Sequence, residues 1–207
     1  MNYILRVLTL IAFLVPVAAG AQQDLAPEQL VQKITEDVLA AIKSDKQLAA
    51  GDRQRAFKLA EEKVLPYVDF EQATRLAVGR AWSQATPEQR RKLIDEFKNM
   101  LVRTYSNAIE GYAGQSLKVL PSRGGKQAGG DEATVRAQFI RAGGQPLPIE
   151  FQMRKGAEGW KVYDISVEGI SLVLTYRSEF DAVVKQEGID GLIKRLGQKN
   201  SPPPVGK

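Results

Sequence analysis

The residues of this sequence best suited to chemistry are an adjacent tyrosine and aspartate, Tyr163 and Asp164. A phenol and a carboxylic acid are enough for proton transfer in small isomerases that use no cofactor and enclose their substrate in an apolar pocket. In a regular strand, however, neighbouring side chains point to opposite faces, so the two could not enter one pocket together. We therefore interpret Asp164 as a hydrogen-bond acceptor at a strand end or turn, with the isomerase as an alternative function.

Two residue types that carry much of enzyme chemistry are missing. The 207 residues include no histidine and no cysteine. This excludes thiol nucleophiles, the Ser-His-Asp arrangement and the usual zinc sites together. We expect no catalytic residue, no metal and no cofactor.

The first 21 residues have the pattern of a secretory signal peptide. Positive charge in residues 1–6 is followed by an almost wholly apolar run from Val7 to Val17, which is short for a membrane span. Ala19-Gly20-Ala21 fits a small-residue cleavage site. We therefore predict cleavage near Ala21 and export, one domain over residues 22–198, and a disordered tail over residues 199–207.

The first half of the exported chain has the three- and four-residue spacing of amphipathic helices. Helices are predicted to begin at Pro27 and Asp52, and at two capping boxes that start with Asp69 and Thr86. The last of these helices is the longest, residues 87–112. Its apolar face is so broad that it must be covered on more than one flank.

The second half changes to a period of two. Side chains alternate over residues 117–120, 133–139 and 147–153, and a β-forming run follows Gly159. This pattern predicts an antiparallel meander of four strands, or a slightly larger sheet. Residues 121–130 form a glycine-rich loop between the first two strands.

A C-terminal helix is predicted to follow the last strand. Leu172, Tyr176 and Phe180 recur at helical spacing, with Gly169 at the changeover and Ser171 as the helix cap. The helix is expected to end at Gly188, before a short further helix. The predicted fold class is α+β, with a helical subdomain packed on one face of a curved antiparallel sheet.

Four segments, in order along the chain, resemble one known family. They are VLPYVDF from Val64, GRAW from Gly79 followed by ATPEQR, TYSNAIEGY from Thr104, and VYDISVEGISLVLTYRSEF from Val162. Together they resemble the MlaC family, the periplasmic phospholipid carriers of the lipid-asymmetry pathway. The family also includes toluene-tolerance proteins.

The resemblance implies an apolar pocket between the helices and the sheet that holds the acyl chains of a glycerophospholipid. It also implies a periplasmic monomer that shuttles lipid between an outer-membrane lipoprotein complex and an inner-membrane ABC transporter with an MCE-domain subunit. These are expectations from the resemblance and do not follow from periodicity.

Periodicity does suggest which residues would form the walls of such a pocket. The sheet would supply one wall, the long helix the opposite wall, and the strand-to-helix turn one residue pointing into the wedge. The alternative is that these side chains interdigitate into a solid core, as apolar faces usually do. The predicted lipid-binding residues are Phe97, Leu101, Tyr105, Val135, Ala137, Phe139, Ile149, Phe151, Met153 and Ile170.

The charge of the chain limits its partners. The formal net charge is +5, and residues 114–207 hold 14 basic against 10 acidic side chains. This modest excess suits an anionic membrane surface or an acidic partner, and a merely solvated surface is the alternative to both. Arg136 and Arg154 are the candidate contacts with an acidic patch on a partner. It is too dilute to indicate a nucleic-acid-binding protein. A periplasmic chaperone is the remaining alternative to a carrier or an isomerase.

Overall fold

The computed structural model describes residues 25–106, 116–121, 130–140 and 144–200. The predicted signal peptide, the end of the long helix, most of the glycine-rich loop and residues 201–207 lie outside these ranges. Within them, no helix is both long enough and apolar enough to cross a membrane.

Helices occupy the first half of the chain, as predicted, and one more closes it. Asp52 and Asp69 cap the N-termini of two of them, and Thr86 and Gln89 form the predicted capping box of the long helix. A four-residue helix after Asp45 was not predicted. The helices are α1 (Pro27–Ser44), α2 (Lys46–Ala49), α3 (Arg53–Lys63), α4 (Phe70–Val78), α5 (Ala81–Gln84), α6 (Pro87–Ser106) and α7 (Arg177–Asn200), with 3₁₀ turns at Leu65–Tyr67 and Leu174–Tyr176.

The sheet is an antiparallel meander in which each strand pairs with the next along the chain. It contains the four predicted strands and a short fifth. Gly169, with φ of 81°, lies in the two-residue turn before that strand, so the chain forms a hairpin before it becomes helical. The strands are β1 (Ser116–Val119), β2 (Glu132–Ile140), β3 (Leu147–Gly156), β4 (Gly159–Val167) and β5 (Ile170–Ser171). The predicted α+β class is confirmed.

Strand β4 contains a β-bulge that periodicity did not predict. Gln152 of β3 pairs with Asp164 and Met153 pairs with Val162, which leaves Tyr163 as an extra residue. An extra residue reverses the alternation of side chains beyond it. The apolar face of β4 therefore shifts from even to odd positions at the bulge.

Buried apolar residues form three separate clusters among the described residues. The largest joins α4, α5, α6 and α7, with Phe97 and Phe180 at its centre. The second packs Leu30 and Val31 of α1 on the sheet residues Val135 and Met153. The third, built around Ile42, joins the end of α1 to α2 and α3. The clusters do not merge, because the space between them is open.

Helix α7 breaks at Gly188, where φ is 72°, and then continues to Asn200. The predicted break is therefore present. The Asn200 side-chain amide donates to the backbone carbonyl of Glu96 at 2.9 Å and to its carboxylate at 2.6 Å. Residues 199 and 200 thus belong to the helix and to its contact with α6, rather than to the predicted tail.

Asp69 fastens α4 to the sheet. Its carboxylate accepts from the backbone N–H of Gln72, which caps the helix, and forms an ion pair with the Arg154 guanidinium of β3. Its own N–H donates to the carbonyl of Val162 at 2.8 Å. Arg154 therefore has a structural partner in the fold, which the charge pattern alone did not predict.

We expect Asp69→Ala to lower the free energy of unfolding by about 1–3 kcal/mol, because it removes a helix cap and leaves Arg154 without its partner. Asp52→Ala is the matched control, because Asp52 caps α3 at an exposed site. The control should cost about 1 kcal/mol. Urea unfolding of both variants tests this, and equal losses would show that the contact with the sheet adds nothing.

Candidate functional site

A cavity of about 480 Å³ lies between the sheet and the helices. Its wall is almost entirely apolar, with aliphatic and aromatic side chains from α1, α3, α4, α6 and β1–β4. The lining residues are Ile34, Thr35, Val38, Leu39, Ile42, Ala60, Val64, Leu65, Val68, Phe70, Ala73, Leu101, Val102, Tyr105, Ser116, Leu117, Phe139, Ile149, Phe151, Val162, Tyr163, Asp164, Ile165, Val167, Leu172 and Val173.

Five of the ten residues predicted to bind lipid line this cavity. Leu101 and Tyr105 are one turn apart on α6 and face the sheet, as their spacing predicted. Phe139 of β2 and Ile149 and Phe151 of β3 form part of the opposite wall. Both predicted walls therefore exist, although lipid contact at these residues stays a prediction.

Four other predicted residues lie in closed packing instead. Phe97 faces α7 and packs edge-on against Tyr176 and Phe180, at ring-centroid distances of 5.6 and 5.4 Å. The sheet residues Val135, Ala137 and Met153 are almost completely buried and lie outside the cavity wall. The reason is that the first turns of α1 cover one end of the sheet face, so only its other end is left open.

Ile170 is also outside the cavity, so the prediction that it points inward is wrong. It is 66% exposed in the short edge strand β5. The fifth strand accounts for the difference, because the sequence was interpreted as turning directly from strand to helix. Leu172 and Val173, just beyond that strand, line the cavity in its place.

Sequence reasoning missed the wall that α1 provides. Ile34, Val38 and Ile42 recur at the four-residue spacing that predicts an amphipathic helix after Pro27, and all three line the cavity. Their spacing predicted an inward face but could not distinguish packing against side chains from packing against a void. Helix periodicity carries no signal for that difference.

The bulge in β4 brings both candidate chemical residues to the cavity wall. Tyr163 and Asp164 line it together, contrary to the expectation for a regular strand. Burial raises the pKa of the Tyr163 phenol, and the nearby carboxylates of Glu132 and Asp164 raise it further. The tyrosine and the aspartate that an isomerase would need are therefore both in the cavity wall, which the sequence did not predict.

Asp164, however, is already fully engaged by the fold. One carboxylate oxygen accepts from the backbone N–H groups of Ile165, at 2.8 Å, and Val173, at 3.1 Å. The other accepts from the Ser171 hydroxyl at 2.5 Å, and that hydroxyl accepts in turn from the Leu174 N–H. The interpretation of Asp164 as a turn acceptor agrees with these contacts, which join β4 to the segment that leads into α7.

No group of three or more acidic residues that could hold a metal ion occurs in the described ranges. The polar atoms in the cavity wall are few and largely engaged. Besides Asp164, for example, the Thr35 hydroxyl donates to the Val31 carbonyl of its own helix. The arrangement thus suits a ligand that is recognised mainly by its apolar surface.

An open antiparallel sheet with helices packed over an apolar cavity defines this protein as an α+β protein with space for an apolar ligand. A sequence model of the family described as "MlaC protein" matches residues 32–198. The chain belongs to the MlaC family, which confirms the resemblance found in its motifs.

Individual relatives agree with this assignment. The intermembrane phospholipid transport system binding protein MlaC of Haemophilus influenzae is 27% identical over 198 residues, which cover 94% of this chain and 90% of that protein. Toluene tolerance protein ttg2D of Pseudomonas putida is 28% identical over 166 residues, or 79% of this chain and 75% of that one.

A solved structure agrees as well. The phospholipid-binding protein from Ralstonia solanacearum, determined in complex with a phospholipid, superposes with a TM-score of 0.75 at 37% identity. The match covers 84% of this chain and 96% of that chain.

Tyr105 provides a pH-dependent test of the cavity wall. Burial, together with a hydrogen bond to the Tyr176 side chain, raises its pKa to about 12. Because the fold favours the neutral phenol, this stabilisation is complete below pH ~10, the ordinary tyrosine pKa. It is lost as the pH rises through about 12.

We expect an alkaline titration followed by tyrosinate absorbance to show a late-ionising tyrosine that is absent from Tyr105→Phe. Tyr163→Phe is the control, because burial also raises the pKa of Tyr163. If the late-ionising step disappeared in Tyr163→Phe and persisted in Tyr105→Phe, its assignment to Tyr105 would be contradicted.

Proposed function

We propose that this protein is a periplasmic carrier that encloses the acyl chains of a glycerophospholipid in its cavity. We further propose that it moves lipid between an outer-membrane lipoprotein complex and an inner-membrane ABC transporter with an MCE-domain subunit. The observation that carries the proposal is the apolar cavity of about 480 Å³ between sheet and helices.

The cost of leaving such a cavity empty supports a resident ligand. Apolar side chains around an unfilled space of about 480 Å³ lack the packing partners that a close-packed interior provides, and those at its mouth face water. Acyl chains would replace the missing contacts without requiring polar partners.

The names of the relatives agree with this ligand class. The Haemophilus protein is named for intermembrane phospholipid transport, and the Ralstonia structure contains a phospholipid. The signal-peptide pattern of residues 1–21 agrees with a periplasmic location. We propose the same ligand and compartment here, with no cofactor and with the protein acting as a monomer.

A carrier is needed because lipid does not cross water unaided. Two acyl chains contain ~30 methylene groups, and exposing each to water costs ~0.8 kcal/mol, so spontaneous release would be opposed by ~24 kcal/mol. Transfer between a bilayer and an apolar cavity exchanges one apolar environment for another. Handover therefore requires direct contact with a donor or an acceptor.

The isomerase alternative is less well supported. Its carboxylate would be Asp164, whose two oxygens already accept three hydrogen bonds from the segment 165–173. A general acid or base must reach a substrate proton, and an acceptor committed to the fold does not. The chaperone alternative predicts an exposed apolar surface rather than an enclosed one.

The proposal is tested by native mass spectrometry of gently purified protein, with two variants that add the same bulk at different places. Ala60 lines the cavity, whereas Ala137 lies in closed packing. We expect the parent to carry glycerophospholipid. Ala60→Trp should fill part of the cavity, fold nearly as stably and carry less lipid.

Ala137→Trp is the matched control, and it should cost about 1–3 kcal/mol by overpacking the sheet. Thermal unfolding of the delipidated proteins gives the stabilities. A parent protein without lipid would contradict the proposal, and an Ala60→Trp variant with unchanged lipid would place the ligand elsewhere.

A further inference from the structure

Three arginines belong to the segments that meet at Gly79. Gly79 ends α4 with φ of 66°, and its N–H donates to the carbonyl of Arg75 at 3.0 Å, one turn earlier. Arg80 follows directly. The guanidinium of Arg177 lies against Gly79, 3.2 Å from where a Cβ atom would be. All three arginines are exposed, and none forms an ion pair within the ranges that the structure describes.

Arg177 does not serve the stability of its helix. It is the first residue of α7, where a cation faces the positive end of the helix dipole and is unfavourable. Gly79 leaves room for it, because any side chain at that position would crowd the guanidinium and would adopt a φ that favours glycine. The same guanidinium lies at the C-terminal end of α4, where a cation is favourable, so the fold holds this charge in a fixed and exposed position.

Two exposed aliphatic side chains adjoin these arginines. Leu174 is 45% exposed and Ile170 is 66% exposed, whereas most other large apolar residues in the described ranges are covered. Leu174 begins the 3₁₀ turn that precedes Arg177, and side chains three residues apart in a 3₁₀ turn eclipse each other. Leu174 and Arg177 therefore share one face, and Ile170 in β5 lies four residues before Leu174 in the same segment.

We propose that this surface, the arginine patch (Arg75, Arg80 and Arg177 with Ile170 and Leu174), binds the face of an anionic phospholipid bilayer. Guanidinium groups form bidentate hydrogen bonds with phosphate. Protruding aliphatic side chains are stabilised when they leave water and enter the headgroup layer. The charge of the patch is complementary to that of the headgroups.

The position of the patch connects it to the cavity. Leu172 and Val173 line the cavity, and they lie between Ile170 and Leu174 in the same segment. Bilayer contact at the patch would therefore place the lipid surface next to one wall of the cavity. This inference rests on the proposed function for its biological meaning, but bilayer binding and lipid content are measured separately.

The test is flotation of the full exported chain with lipid-only vesicles, comparing pure phosphatidylcholine with an equimolar mixture of phosphatidylcholine and phosphatidylglycerol. The parent should bind the anionic vesicles and bind less as salt rises, because exposed charges are screened. Arg75→Gln/Arg80→Gln/Arg177→Gln should reduce the partition coefficient at least about tenfold. Arg75→Gln/Arg80→Gln retains Arg177 and its contact with Gly79, and it should show an intermediate loss.

The control removes three charges elsewhere on the surface. Lys58, Lys92 and Lys185 are exposed and each pairs with an acidic residue one turn away on its own helix. Their joint replacement by Gln gives the same change in net charge and should leave at least half of the binding. Ile170→Ser/Leu174→Ser should weaken binding by several-fold at every salt concentration.

Three results would overturn the inference. One is equal loss in the two charge-matched triple variants, which would indicate a general charge effect. Another is binding that does not differ between neutral and anionic vesicles. The third is a parent that binds protein-containing membrane vesicles but no lipid-only vesicle, because the patch would then face an acidic protein. Cavity lipid measured on the same samples shows separately whether the carrier function itself fails.

Discussion

The cavity depends on strand β4, which anchors the two segments that lead into α4 and α7. On one side of the bulge, Val162 pairs with Val68, and its carbonyl accepts from Asp69 at the start of α4. On the other side, the Asp164 carboxylate holds residues 171–173, which lead into α7. Both anchored helices then pack together in the largest apolar cluster. Val68, Leu172 and Val173, which lie beside the two anchors, are thereby held in the cavity wall.

The bulge at Tyr163 also decides which side chains face the space so created. Val162 before it and Ile165 and Val167 after it all line the cavity, although a regular strand would put the first on the opposite face from the others. A single extra residue thus keeps the wall apolar along the whole strand. It also positions Asp164 as an anchor, because both of its carboxylate oxygens accept hydrogen bonds from the following segment.

Much of this fold could be predicted from the sequence, because the helices and strands have strong periodic patterns and clear caps. Asp69 and the Thr86–Gln89 box started helices where expected, and the meander followed from alternation. What failed were features that periodicity cannot represent. The hairpin at Gly169 exposed Ile170, and the bulge moved the apolar face of β4 by one position.

The candidate site was predictable only in part for a related reason. Apolar spacing identifies an inward face, but Phe97 and Leu101 lie one turn apart on α6 and only Leu101 reaches the cavity. Which inward residue meets a void depends on how far apart the covering elements are held. That distance is set by contacts between residues far apart in the sequence, such as Asp69 with Arg154.

The most direct measurement is photo-crosslinking with a phospholipid that carries a diazirine near the end of one acyl chain. The protein would be loaded with this lipid, separated from all vesicles, irradiated and mapped by peptide mass spectrometry. We expect labels on residues from different walls of the cavity, such as Val38, Leu101 and Ile149. Labels confined to residues outside the cavity wall would contradict it.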